Sequence, residues 1–200
     1  MKSIEVKGSL RTETGKKATR ELRKNDSIPC VLYGSQKDEN GKVINTHFMV
    51  TNEAVRKLVY TPHIYVVDLN IDGKVTNAIM KDIQFHPVTD KILHMDFYQI
   101  DEAKPIEMDV PVQLEGLAEG VKAGGKLSLQ MRKLKVKALF NVIPERIVIN
   151  VTNLGLGKTV KVGELNYEGL ELLNAKDAVV CAVKLTRAAR GAQAAAAAGK

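Results

Sequence analysis

From residue 3 to residue 11, apolar Ile4, Val6 and Leu10 alternate with Glu5, Lys7, Ser9 and Arg11. This is the two-residue period of a strand with one buried face, and it puts Arg11 on the wet side. Thr12-Glu13-Thr14-Gly15 interrupts the alternation, and KKATRELRK then follows a helical period that ends near Asn25. At about 100° per residue, Lys16, Lys17, Arg20, Arg23 and Lys24 share an arc of roughly 120°, with Ala18 and Leu22 opposite. One side of this helix packs and the other is a cationic ridge. Because Arg20 and Arg23 point away from the packing side, the pattern predicts that their removal leaves stability nearly unchanged.

The segment IPCVLYG predicts a strand entered at Pro29 and left at Gly34, and KVINTHFMV, after the polar loop QKDENG, predicts its neighbour. Thr51 or Asn52 is expected to cap a short helix built on Ala54, Val55, Leu58 and Val59. HIYVVDLNI and KVTNAIMKDIQF flank Asp72-Gly73, a pair suited to the two positive-φ positions of a tight hairpin. After HPVTDK, ILHMDFYQI places Leu93, Met95 and Phe97 on the core face and His94, Asp96 and Tyr98 on the outer face.

From Pro105 onward the texture changes to strand-like stretches broken by Gly and Pro: IEMDVPVQLEG, KLSLQMRKLKVKALF, RIVINVTNL, KTVKVGEL and DAVVCAVKL. The fold class is therefore mainly β with short helices. A first domain covers 1–100, a C-terminal β domain covers 101–186, and an Ala-rich tail covers 187–200, with Asp101 to Pro105 as the joint. The tail has nothing to pack it.

Charge sharpens this picture. The 200-residue chain carries a formal +7, and residues 1–24 alone hold eight Lys or Arg against three Glu, a net +5. A concentrated positive patch attracts polyanions by counterion release, so nucleic acid is the leading partner class. With four Phe, five Tyr and no Trp, a single-strand platform of stacked aromatics is not expected. Cys30 and Cys181 lie far apart in sequence and outside any CxxC or CxxH unit, so both are expected to be reduced, buried thiols, with no metal site. The start, MKSIEVKGSL, lacks the continuous apolar core of a signal peptide. No stretch approaches the roughly 20 apolar residues of a membrane span. The expected location is cytoplasmic, with no membrane partner and no obligate homo-oligomer.

Two motifs have weaker chemistry. NLGLGKTV, residues 153–160, is similar to a phosphate-binding loop, but Thr152 stands where the pattern needs Gly, and V-K-V after it alternates like a strand. A β-turn is expected there. Lys133, Lys135 and Lys137 share one face of a strand, with Leu134 and Val136 on the other, as on a wet surface that resists aggregation. No nucleophile, base and acid set, no paired-carboxylate signature and no HExxH appears. A binding protein without cofactor is expected, not an enzyme.

Together, LRTETGKKATRELRK, IPCVLYG and KDIQFHPVTDKILHMDF resemble the bacterial large-subunit ribosomal protein family L twenty-five, in its longer, general-stress-protein Ctc form. The resemblance rests on the basic GKxATRxLR helix, the PxxxYG strand and the HPxxxKxxHxDF end, over about the first hundred residues. It implies a β-barrel-like N-terminal domain that grips 5S ribosomal RNA from the minor-groove side, in the central protuberance of the large subunit. It implies RNA contacts from Arg11, Lys16, Arg20, Arg23, Tyr33, His94 and Asp96, with Lys17 and Lys24 on the same ridge. For the second domain it implies packing against neighbouring ribosomal proteins or rRNA. One alternative is a stress-response RNA binder only transiently on ribosomes. Another is a nucleotide hydrolase using Gly157-Lys158-Thr159.

Overall fold

The alternation that opens the chain builds strand β1, Lys2–Leu10, and the helical period after it builds α1, Lys16–Lys24. In the computed structural model, which describes residues 2–34, 44–101, 103–187 and 189–190, the chain divides into two units that meet between Lys104 and Pro105. The first unit continues with β2 (Ser27–Tyr33), β3 (Thr46–Thr51), α2 (Asn52–Val59), β4 (Tyr65–Ile71), β5 (Lys74–Phe85) and β6 (Ile92–Gln99). Its six strands close into a barrel in the order β1-β3-β2-β6-β5-β4. Closure comes from β1, which pairs antiparallel with β3 and parallel with β4; β2 and β6 form a second parallel pair. Every strand thus has two neighbours, and no edge is left to recruit another chain.

The interior is filled by inward residues of alternating strands. Val6, Cys30, Phe48, Val67, Leu69, Met95 and Phe97 are all fully buried, and the Phe48 and Phe97 rings stand 5.6 Å apart. Gly8 keeps an inward position empty: a Cβ there would lie 2.9 Å from Phe48 Cδ2 and 3.0 Å from the Met49 carbonyl. The hairpin tip takes the expected form, with φ of 46° at Asp72 and 90° at Gly73. It is also stitched to β1, since the Asp72 carboxylate accepts from the Leu10 N–H at 2.9 Å.

Several expectations need correcting. Leu10 keeps inward parity as the partner of Phe48, but it sits where β1 leaves the barrel and is 54% exposed. Leu93 is only half-buried while Ile92 is buried, because a bulge shifts the alternation at the start of β6. Thr51 stands at the N-cap of α2 without a side-chain cap bond; the helix is held by burial of Val55 and Leu58. The QKDENG loop and most of the tail lie outside the described residues.

The second unit contains β7 (Ile106–Glu115), α3 (Glu119–Lys122), β8 (Lys126–Leu129), β9 (Lys133–Ala138), β10 (Ile147–Asn150), β11 (Thr159–Lys161), β12 (Glu171–Leu172) and β13 (Val179–Lys184). They form a four-stranded sheet, β10-β7-β9-β12, and a three-stranded sheet, β11-β13-β8. KLSLQMRKLKVKALF thus serves two sheets. The Gln130 and Met131 N–H groups both donate to the Val180 carbonyl and Arg132 accepts from Val112, so the chain changes partners between β8 and β9. Ile106, Val110, Leu134, Val136, Ile147 and Val180 supply buried apolar bulk. Both cysteines are buried and free. Among the described residues no helix is long and apolar enough to cross a membrane.

Burial, reinforced by the nearby Asp96 carboxylate, pushes the Cys30 thiol up from 9.0 to about 12. Between those values the unfolded chain releases a proton that the folded barrel retains, so stability is complete below about 9 and falls as pH rises toward about 12. Urea midpoints at about pH 8 and about pH 10.5 should therefore drop more for the wild type than for Cys30→Ala. Equal drops would show that the buried thiol does not contribute.

Candidate nucleic-acid interface

The centre of the site is an irregularity in β6. Gln84 pairs with His94, but the next pair joins Phe85 to Ile92, which leaves Leu93 without a partner on β5. Such a bulge bends the strand and releases a backbone group from the ladder. The Leu93 carbonyl accepts both Nε and Nη2 of Arg23, at 3.1 and 2.9 Å. Arg23 is therefore not a free cation of the ridge, and the expectation that its removal is neutral for stability is corrected. Its guanidinium ties the C-terminal end of α1 to the strand residue just before His94.

The remainder of α1 follows its wheel. Ala18, Thr19 and Leu22 are half-buried, while Lys16, Lys17, Arg20, Arg23 and Lys24 are exposed. Arg23 and Lys24 lie in the last turn, where cations complement the helix dipole. Between α1, the start of β6 and the turn at 86–91 runs an open groove of about 550 Å³, lined by Lys16, Arg20, Arg23, Lys24, His86 and Lys91 together with Asp26. Lys17 is not among its lining residues. His86 shapes the far wall: its Nδ1 accepts from the N–H groups of Val88 and Thr89, both at 3.2 Å.

From the bulge the outer face continues along the barrel. His94 Nδ1 and Asp96 Oδ1 are 2.8 Å apart, with side-chain exposures of 26% and 34%. Asp96 thereby fixes the imidazole ring and keeps its second oxygen as an acceptor. Register places Asp96 beside Val31 on β2 and Asp82 on β5, and Val31 beside His47 on β3. The Arg11 N–H donates to the His47 carbonyl at 3.0 Å, which adds Arg11 to the same row; its Nε donates to the Glu13 carbonyl. Farther along the strands Tyr33 pairs with Tyr98, their rings edge to face at 5.8 Å. Burial, and then the Asp96 and Asp82 charges, raise the Tyr33 phenol above its ordinary value, which keeps it a hydrogen-bond donor.

The fold thus brings Arg11, Tyr33, His94 and Asp96 onto one face and joins it through Arg23 to the groove of Lys16, Arg20 and Lys24. His47, Asp82, Gln84 and Lys91 belong to the same surface and were missed. His47 was legible, since THFMVT alternates and Phe48 faces the core. Asp82 and Gln84 were not, because their positions depend on a second bulge, between Met80 and Asp82. Elsewhere, Gly157-Lys158-Thr159 is a turn: the Lys158 N–H donates to the Gly155 carbonyl, Gly157 has φ of 75°, and Thr159 starts β11. A phosphate-binding loop would be followed by a helix. Among the described residues no three His, Cys, Asp or Glu side chains gather as metal ligands.

Comparison with known proteins agrees with this architecture. Residues 6–97 match the ribosomal L25p family, and residues 105–187 match the C-terminal domain of ribosomal protein TL5. The large ribosomal subunit protein bL25 of Phocaeicola vulgatus is 80% identical over 200 residues, with both chains covered completely. The bL25 of Bacteroides thetaiotaomicron is 72% identical over 205 residues, again with both chains covered completely. That of Porphyromonas gingivalis is 58% identical over 193 residues, covering 96% of this chain and 97% of the relative. With a barrel that carries the L25p match and a second β unit that carries the TL5 match, this chain belongs to the ribosomal L25p family.

Proposed function

We propose that this chain, a structural constituent of the large ribosomal subunit and not an enzyme, binds 5S ribosomal RNA through the α1 groove and the outer face of its barrel. It works in the cytoplasm as part of the ribosome. The observation that carries the reading is the Arg23 bond to the Leu93 bulge. That bond joins a row of phosphate-seeking cations to a patch of short donors and acceptors, and RNA recognition needs both. A-form RNA hides its major groove from side chains and offers a wide, shallow minor groove lined with 2′-hydroxyls and base edges. Lys16, Arg20 and Lys24 are suited to hold phosphates and set the register, with Lys17 at the flank; Arg11, Tyr33, His94 and Asp96 are suited to read edges.

Asp96 is the informative member. A carboxylate is a poor neighbour for phosphates, so its place on this face is explained by acceptance from a base amino group or 2′-hydroxyl while it holds His94. We read the chain as the long, Ctc-like form because a second β unit follows the barrel. That second unit packs against neighbouring ribosomal proteins or rRNA.

Two experiments follow. Arg20→Ala should flatten the salt dependence of 5S RNA binding by roughly 0.9 in log K against log salt, without changing the melting temperature. Arg23→Ala should weaken binding and also destabilise the fold by about 1 kcal/mol, because the Leu93 carbonyl loses a charged donor. Identical melting temperatures for the two variants would contradict the role given to the bulge.

For Asp96→Asn, simple charge attraction expects tighter binding, since a negative charge near phosphates is removed. Readout expects weaker binding, by about 1–3 kcal/mol, because the amide puts a donor where an acceptor is needed. His94→Ala should cost a similar amount, and the double variant should lose less than the sum. Titration of 5S RNA at fixed salt distinguishes the two views, and tighter binding by Asp96→Asn would remove this face from the site.

A further inference from the structure

The second unit has a charge distribution that its own folding does not explain. Three stretches, 120–144, 151–163 and 178–200, contain no Asp or Glu. Residues 124–126, 157–158 and 183–186 of these stretches meet at one end of the three-stranded sheet. Lys184 on β13 stands directly opposite Lys126 on β8. On the other side of β13, the Lys158 carbonyl accepts from the Val183 N–H at 3.0 Å. After β13 the chain turns back on the α3 end: Thr186 Oγ1 donates to the Gly124 carbonyl at 2.6 Å, and the Arg190 N–H donates to the Thr186 carbonyl. Lys122, Lys126, Lys158, Lys184, Arg187 and Arg190 are all exposed. None of the six makes an ion pair among the described residues.

The Lys stripe of β9 provides an internal contrast. Lys135 faces Asp109 and Lys137 faces Glu107 across β7, while Glu171 on β12 flanks Lys137 from the other side. That face is balanced, as a solvated sheet surface should be. Like charges placed directly opposite one another, as Lys126 and Lys184 are, destabilise a sheet. Such a cluster, with Glu119 beside Lys122 on α3 as an acidic neighbour, repels itself and is relieved when a polyanion neutralises it.

We infer that Lys122, Lys126, Lys158, Lys184, Arg187 and Arg190 form a second RNA-phosphate-binding surface, separate from the barrel face. The inference depends on the ribosomal reading above only for the kind of polyanion, which is RNA and not an acidic protein. Contacts to phosphates carry no sequence information, so this surface anchors the second unit on any suitably shaped backbone while the barrel supplies specificity.

The test uses the full chain carrying Arg20→Ala and Asp96→Asn to weaken the first surface, and an RNA duplex of about 16 base pairs unrelated to 5S RNA. In that background Lys126→Gln/Lys158→Gln/Lys184→Gln should flatten the salt slope by roughly 2.7. This removes about a 40-fold change in affinity between roughly 50 and 200 mM salt. Lys126→Arg/Lys158→Arg/Lys184→Arg, which keeps the charge, should bind the duplex as the parent does. The single Lys126→Gln variant should melt slightly higher than wild type, since it relieves a repulsion. An unchanged duplex slope in the Gln variant would overturn the proposal, as would a lower melting temperature for Lys126→Gln. Tighter binding of poly-glutamate than of duplex by the parent would reassign the surface to an acidic protein and overturn it as well. Failure of the wild-type chain to bind 5S RNA would sink the barrel reading yet leave this duplex measurement interpretable.

Discussion

Closing six strands into a narrow barrel decides what each side chain can do. With β1 paired to both β3 and β4, every strand has two neighbours and alternate residues are committed to a filled interior. Phe48, Phe97, Met95, Leu69 and Val67 occupy that interior. Among the described residues that interior is apolar, with no buried polar or charged side chain, so the groups that recognition needs stand on the outside. A cylinder of short strands then presents rows of residues at fixed spacing, Arg11, His47, Val31, Asp96 and Asp82 across it, with Tyr33 and Tyr98 farther along. Rigidity comes from the core, and the pattern on the surface comes from register.

Regular pairing alone would leave α1 loosely attached, because none of its residues is fully buried. The bulge at Leu93 supplies the missing attachment by exposing a carbonyl to Arg23. A departure from ideal β geometry thus fixes the angle of the cationic helix and joins two kinds of chemistry. The second unit divides its charge differently. Its four-stranded sheet balances Lys135 and Lys137 with acidic partners, while the end of the three-stranded sheet leaves Lys126 and Lys184 face to face.

Much of this was legible in the residues. KKATRELRK fixed both ends of α1, Asp72-Gly73 fixed a hairpin, and Met95 and Phe97 alternated with His94 and Asp96 as a strand on a core must. What alternation could not show were its own interruptions. The bulges at Leu93 and near Lys81 change parity without a local signal, because Gly and Pro are absent there; Ile92 turned inward, and Asp82 and Gln84 joined the site for that reason. Arg23 read as a free ridge cation because a wheel shows direction and not distant partners. In the second unit, β8 and β9 looked continuous since nothing in Gln130-Met131-Arg132 marks a change of sheet, and β12, with two residues, is too short to carry a period.

If the Arg23 bond to Leu93 couples helix to strand, the α1 groove and the barrel face bind RNA as one surface. The most direct measurement is an NMR titration of the isotope-labelled chain with 5S RNA, following backbone amides. On coupled binding, the resonances of residues 16–24, Tyr33 and His94 to Tyr98 shift together, with a single dissociation constant at one-to-one stoichiometry. Shifts confined to α1, or two separate constants for the helix and for β6, would contradict it.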